Sequence, residues 1–292
     1  MHKNPLVSIL VPSYNHSKYI KKCIECIVNQ NYDNYELIVI DDGSTDNSVA
    51  ILSELQKKHG FYLKLNKNQG LAKTLNIGFK EIANGKYFAI CASDDFWLPN
   101  KLTLQVEFLE KNPNYAMVYG KAKVIDENDN ILKEITEATN RNLKGGSVFK
   151  ELILMEFHPP VNYLHRANVI REIGFFQENL WAEDFDMNLR IAKKYYIGFI
   201  NEYLFYYRVN NSIPSKGLNF KTIYSHKSSI EKFKDSEYYT QAIKLWYFRC
   251  FTWYAPFYKG KKLAIKGMSH NLDKIFTREF WRSFVVLFLR WH

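Results

Sequence analysis

Within its first hundred residues the chain alternates short, unbroken apolar runs with amphipathic stretches. VSILV (7–11), ELIVI (36–40), the segment 61–65 and KYFAICA (86–92) have strand length and little polar interruption. Between them, Ile20, Cys23, Ile24, Ile27 and Val28 recur at helical spacing, and helices are predicted over 48–58 and 71–83. A strand that is apolar on both faces must be covered on both faces. The expected fold is therefore α/β, a Rossmann-like, mostly parallel sheet with helices on either side. Ligands of such sheets bind beyond the carboxyl ends of the strands. The polar clusters PSYN, DDGSTD and SDD each follow a strand at that end, which predicts a single site on one rim.

Beyond Pro99 the alternation stops. A helix is expected over 101–111, short strands over 116–119 and 123–126, and another strand near Ile131 after the ENDN loop. Helices near 149–156 and from Asp184 onward precede a strand over 197–208. NNSIPSKGL (210–218) reads as a linker by its Pro, Gly and Ser content, and everything after it reads as helix. The expected division is an α/β unit over 1–209, the linker 210–218 and a helical region over 219–292.

Charge is distributed unevenly. From Gly217 onward there are fourteen Lys/Arg against five Asp/Glu, so this last quarter holds nine of the ten net positive charges of the 292-residue chain. Its sequences LWYFRCFTWYAPFYKGKK and IFTREFWRSFVVLFLRW are also aromatic. Phe276, Phe280, Phe284, Leu287, Phe288 and Trp291 recur at helical spacing near Arg278, Arg282 and Arg290. Such a helix suits an anionic membrane interface; the competing use is packing on the α/β unit or on a second subunit in a homo-oligomer. The apolar run at 284–289 is far shorter than the ~20 residues of a spanning helix, and the start lacks a secretory signal. The expected location is cytoplasmic, at the inner face of the membrane if the tail binds lipid. No nucleic-acid-binding motif accompanies the basic aromatic segments. The four cysteines are too few for a disulfide framework, and Cys23 and Cys26 fall on the apolar helical stripe, which favours core packing over metal or redox chemistry.

Three acidic segments carry the candidate chemistry. Adjacent Asp94 and Asp95 repel each other unless a cation or hydrogen-bond donors satisfy them, and a hard divalent ion bridging to phosphates needs only one or two protein carboxylates. In DDGSTD, Gly43 permits an unusual turn and Ser44 or Asp46 can cap the next helix, which leaves Asp41 and Asp42 surplus to capping. A carboxylate there can accept an N–H from a pyrimidine. AEDFDMNLR (182–190) places three carboxylates at a helix start, where they suit the helix dipole or supply a general base.

VSILVPSYN, ELIVIDDGSTDNS, NKNQGLAKTLNIGF, GKYFAICASDD and GFFQENLWAEDFDMNLR occur in this order with spacings that resemble the family 2 glycosyltransferases of the GT-A fold, over about 70% of the chain. The resemblance implies an inverting, metal-dependent hexosyl- or N-acetylhexosaminyltransferase acting from a UDP-sugar on a glycan or lipid-linked glycan in surface polysaccharide synthesis. By this match Pro12, Tyr14 and Asp42 hold the uracil, Asp94 contacts the ribose, and Asp95 ligates Mg²⁺ or Mn²⁺ on the diphosphate. Asp184 is the catalytic base, with Glu183 beside it positioning the acceptor. Two positions depart from the family pattern. Ala92 stands where an Asp is frequent, and Leu75 stands where an Arg is common. Lys73, one helical turn from Asn76, is the substitute cation for the diphosphate, and Arg208 with 210–215 is a candidate closing segment. The metal stabilises the leaving diphosphate, and one displacement inverts the anomeric centre. A nucleotidyltransferase is the competing enzyme class, although PSYNHSKY lacks a Gly-rich basic phosphate loop. A non-catalytic sugar-nucleotide binder or membrane scaffold is the competing non-enzyme class.

Overall fold

The computed structural model describes residues 4–209 and 220–289. The predicted linker, Arg290 and Trp291 lie outside the described residues. The chain runs β1 (Val7–Ser13), α1 (Ile20–Val28), β2 (Tyr35–Asp41), α2 (Ser48–His59), β3 (Tyr62–Leu65), α3 (Leu71–Ile77) and β4 (Tyr87–Ile90). It continues through β5 (Phe96–Trp97), α4 (Lys101–Lys111), β6 (Tyr115–Ile125), α5 (Lys133–Thr139), α6 (Phe149–Ile153), β7 (Leu164–Arg166), α7 (Ala167–Ile173), α8 (Glu183–Lys194) and β8 (Tyr196–Arg208). The helices α9 (Phe220–Glu231), α10 (Tyr239–Tyr254), α11 (Lys261–Ser269) and α12 (Arg278–Leu289) follow.

The eight strands form one sheet in the order β3-β2-β1-β4-β7-β6-β8-β5. The first four are mutually parallel. β7 runs antiparallel between β4 and β6, and β5 runs antiparallel at the far edge beside β8, whereas β6 and β8 are parallel to each other. The sheet is thus mostly parallel, as expected, and two short antiparallel strands extend it.

Successive residues of each buried strand serve opposite layers. Ile9, Val11, Leu37, Val39, Tyr87 and Ala89 pack with α1, α2 and α4. Leu10, Ile38, Ile40, Phe88 and Ile90 pack on the other face against α3, α6 and α8. This double burial is why these strands lack polar alternation. The helix expected over 71–83 runs as α3 and then widens into a π-helical turn at Gly78–Ile82. A Cβ at Gly78 would lie 2.5 Å from Leu10 Cδ2, so a larger residue would force Leu10 of β1 to move in the core.

Three local expectations change. The two strands foreseen at 116–119 and 123–126 are one continuous β6, because Lys121 and Lys123 between them stay paired with Tyr203 and Tyr206 of β8. The strand near Ile131 reduces to a single bridge with Ile125. The strands β5 and β7, two and three residues long, are too short to leave a periodic signal. α9 and α10 join the second layer directly: Ile223, Ile230, Trp246 and Phe251 are buried in one cluster with Phe149 and Met187. Lys232 and Arg190 both bond the buried Asp186, the former at very short range, so that carboxylate is structural.

Candidate active site

The carboxyl ends of β1, β2 and β4 do meet. The Asn15 side-chain oxygen accepts from the Thr45 amide at 2.8 Å, and Ser44 Oγ receives the Asn15 amide at 2.9 Å, so the PSYN and DDGSTD loops are stitched together. Buried Asp41 accepts from Ser13 Oγ, the Ser44 amide and Ser44 Oγ, so it shapes the turn. Gly43 sits at φ +82°, and a Cβ there would lie 2.8 Å from the Asn68 amide nitrogen. Asp46 receives the Ser17 and Ser48 amides, so it braces the entry to α2 as the sequence suggested, although Asn47 is the residue that starts the helix.

These loops wall a cleft of about 390 Å³ lined by Pro12, Tyr14, His16, Asp42, Leu71 and Asp94, among others. Four of the five residues expected to bind nucleotide therefore share one cavity. Asp42 is pinned there: its two carboxylate oxygens accept the Gln69 and Gly70 amides at 3.0 and 2.9 Å. Each oxygen retains a second lone pair. His16, which the sequence analysis passed over, shares a 2.7 Å hydrogen bond with Ser93, and its Nε2 stands 4.0 Å from Asp94 Oδ2. No motif signals it; only the fold brings it to the SDD loop.

Lys73, the fifth residue, opens onto a neighbouring cleft of about 440 Å³ with Glu178, Trp181 and Glu183. The two clefts share Gly70 and Leu71. On α3 the residues 72, 74, 75 and 76 are buried, which leaves Lys73 on the outer side. Leu75, at the family's Arg position, is in the core. Asn76 ties α3 to the loop before α8, bonding the backbone of Phe176 in both directions and Glu178 Oε1.

Asp184 lines a third cleft of about 450 Å³ with Tyr207, His158, Pro159, Arg141 and Asn142. Its Oδ1 accepts its neighbour's amide, that of Phe185, at 2.8 Å. Burial, and then the charge of Asp184, push Glu183 up to about 7. Burial raises Tyr207 to about 12, and the charges of Asp95, Asp94 and Asp184 add to it. Tyr207 therefore lies within electrostatic reach of both acidic groups. The SDD loop and the start of α8 are linked through β8, where Tyr207 lines the cleft of Asp184 and the next residue, Arg208, donates its amide to Asp95.

Asp95 is buried and receives the Arg208 amide at 2.8 Å. Burial and the charge of Asp94 push it well above the usual carboxylate range, opposed by the Arg208 amide and guanidinium. All three guanidinium nitrogens of Arg208 are engaged. Nε donates to Asp94 O at 2.9 Å, Nη1 to Asp126 O at 2.6 Å and Nη2 to Asp129 Oδ1 at 2.5 Å, while the guanidinium lies 4.1 Å from the Tyr19 ring centroid. Arg208 thus braces the SDD loop from below, and closing over a diphosphate would require it to give up these bonds. Asn210–Ser215, the rest of that expected closing segment, lies outside the described residues.

Among the described residues no three His, Cys, Asp or Glu side chains form a cluster that would hold a metal by themselves. The adjacent Asp94 and Asp95 instead suit an ion that takes most of its ligands from substrate phosphates and water. Two adjacent carboxylates, one of them buried and only partly offset by Arg208, fit that chemistry.

An α/β protein whose parallel strands open at their carboxyl rim onto a cleft lined by Asp42 and Asp94 has the layout in which such sheets bind ligands. The family model for glycosyl transferase family 2 matches residues 8–173, and the chain belongs to that family. A relative in Rickettsia bellii, an uncharacterized glycosyltransferase, is 34% identical over 61% of this chain; the chain spans only 24% of that relative's length. Two solved structures share the GT-A fold. The mannosyltransferase of Pyrobaculum calidifontis, in complex with GDP-Man and Mn²⁺, aligns with a TM-score of 0.62 at 16% identity, over 94% of this chain and 76% of its own. Staphylococcus aureus TarS 1-349, in complex with UDP, aligns at 0.61 and 20% identity, over 92% and 81%.

Proposed function

We propose that this glycosyltransferase takes a sugar from a UDP-sugar and passes it, with inversion, to a hydroxyl of a glycan or lipid-linked glycan in surface polysaccharide synthesis. The observation that carries the reading is the cleft holding Pro12, Tyr14, Asp42 and Asp94, together with a second cleft lined by Asp184 and Tyr207, whose neighbour Arg208 bonds Asp95. A leaving nucleotide and an attacking hydroxyl need such adjacent but separate compartments. The structural neighbours bound to UDP and to GDP-Man with Mn²⁺ support a nucleotide-sugar donor.

In this reading Tyr14 and Pro12 flank the base and Asp42 accepts its N–H. Asp94 meets the ribose, with His16 bracing it. Asp95 and Asp94 hold a divalent cation, Mg²⁺ or Mn²⁺, which when bound neutralises the diphosphate as it leaves. Asp184 takes the proton of the acceptor hydroxyl as that oxygen attacks the anomeric carbon, and Glu183 orients the acceptor. Lys73 opens toward Glu183, so its role shifts from the diphosphate to the sugar or acceptor.

Calorimetric titration of UDP, GDP and TDP, with Mn²⁺ and then with EDTA, tests the donor site. Tight UDP binding that is lost in EDTA and in Asp95→Ala is the expected result. Tighter GDP binding would replace the uracil assignment, and nucleotide binding indifferent to EDTA would remove the metal.

A further inference from the structure

The helix α12 has two apolar faces, and only one of them is used. Phe280, Ser283 and Leu287, at i, i+3 and i+7, are buried, with the Phe280 ring 5.1 Å from that of Phe251 on α10. Trp281, Val285 and Phe288, at i, i+4 and i+7, form a second row that is 54%, 40% and 41% exposed. The Phe284 ring links the rows, 5.3 Å from Trp281 and 4.8 Å from Phe288. Just before the helix, Phe276 is 93% exposed and Leu272 and Ile275 are also open. The expected stripe is therefore split: part of it packs on the molecule, and a wet aromatic row remains.

The charge beside that row decides its partner. Arg278 and Arg282 are exposed and run along the helix into Val285, again at i, i+4 and i+7, and neither has an ion-pair partner among the described residues. Residues from Gly217 onward carry nine of the ten net positive charges. A twelve-residue helix spans about 18 Å, too short to cross a bilayer core of roughly 30 Å; among the described residues no helix can cross one. Trp and Phe beside Arg on a helix of this length suit the headgroup boundary, with the axis in the membrane plane. A second copy of the chain fits less well, because a two-fold contact brings the arginine row toward its own copy.

We infer that the outer face of α12, with the Phe276 segment before it, is a docking surface for an anionic phospholipid bilayer. This surface is independent of the donor cleft. It holds the catalytic unit at the membrane without inserting a spanning segment.

Flotation of the full chain with vesicles of phosphatidylcholine and phosphatidylglycerol, against phosphatidylcholine alone, tests this. Binding is expected only to the anionic vesicles, weakening as salt rises. Arg278→Glu/Arg282→Glu should lower it about tenfold or more, and Trp281→Ser/Phe288→Ser about tenfold. Both variants keep the wild-type far-UV dichroism and UDP titration, which separates loss of docking from misfolding and from any error in the donor assignment. Failure to float with anionic vesicles at low salt, or variants that float like the wild type, would overturn the inference. So would light scattering that shows a dimer which Trp281→Ser/Phe288→Ser converts to monomer.

Discussion

The amide of Arg208, at the end of β8, donates to the carboxylate of Asp95 at 2.8 Å across 113 residues of sequence. The same residue's guanidinium bonds the carbonyl oxygens of Asp94 and Asp126 and the carboxylate of Asp129. One side chain thus sets where the acidic pair stands. Arg208→Lys cannot reproduce three differently aimed donors. It should lower stability by about 3 kcal/mol in urea denaturation and weaken metal-dependent UDP binding. Asp129→Asn, at a partly exposed partner, should cost about 1 kcal/mol or less.

Asp184→Asn removes the proposed base and keeps its shape. Turnover with donor and acceptor should fall by about 10²–10⁴, whereas UDP affinity measured by calorimetry should stay within about twofold. Turnover at wild-type rate would move the base elsewhere in the cleft lined by His158 and Tyr207.

Glu183 titrates at about 7 because burial and then Asp184 oppose its charge. The native state keeps this proton at pH values where the unfolded chain, with a pKa near 4.3, has released it. Stability should accordingly decline as pH rises from about 5 to about 7 and level off above that. In Glu183→Gln that part of the slope disappears, and the variant should exceed the wild type by on the order of 1–3 kcal/mol at pH 8. Urea midpoints across this range provide the check.

Gly43→Ala places a methyl 2.8 Å from the Asn68 amide nitrogen at a φ of +82°. The turn has to shift, and with it Asp42 and the Gln69–Gly70 amides that Asp42 holds. A loss of about 2 kcal/mol in stability and a UDP affinity lowered about tenfold or more are expected from denaturation and calorimetry.

The strands β1, β2 and β4 were legible because both faces of each are buried, which removes polar residues from the sequence itself. The grouping of Pro12, Tyr14, Asp42 and Asp94 followed from the rule that loops at one end of a parallel sheet converge. β7 was not legible. Its three residues are held in place by the Arg166 side chain, which bonds the carbonyls of Tyr115, Leu109 and Asn112 on other elements. His16 and Arg208 were missed as supports of the SDD loop for a similar reason. Their partners are distant in sequence, and a basic residue at a strand end has no signature that names what it will touch. Lys73 enters as a substitute for the cation the family carries at Leu75; its outward position on α3 opens it onto the cleft that adjoins the one with Asp42 through Gly70 and Leu71.

The tie between Asp95 and Arg208 also orders events during synthesis. A ribosome adds roughly 5–20 residues per second, so Asp95 is complete many seconds before Arg208 is made. The nascent β1–β4 layer can assemble in that interval, but its acidic loop lacks the strut that positions it until β8 has been translated and paired. A chain interrupted before residue 208 would carry the PSYN, DDGSTD and SDD loops in full and still lack the support under its proposed donor site.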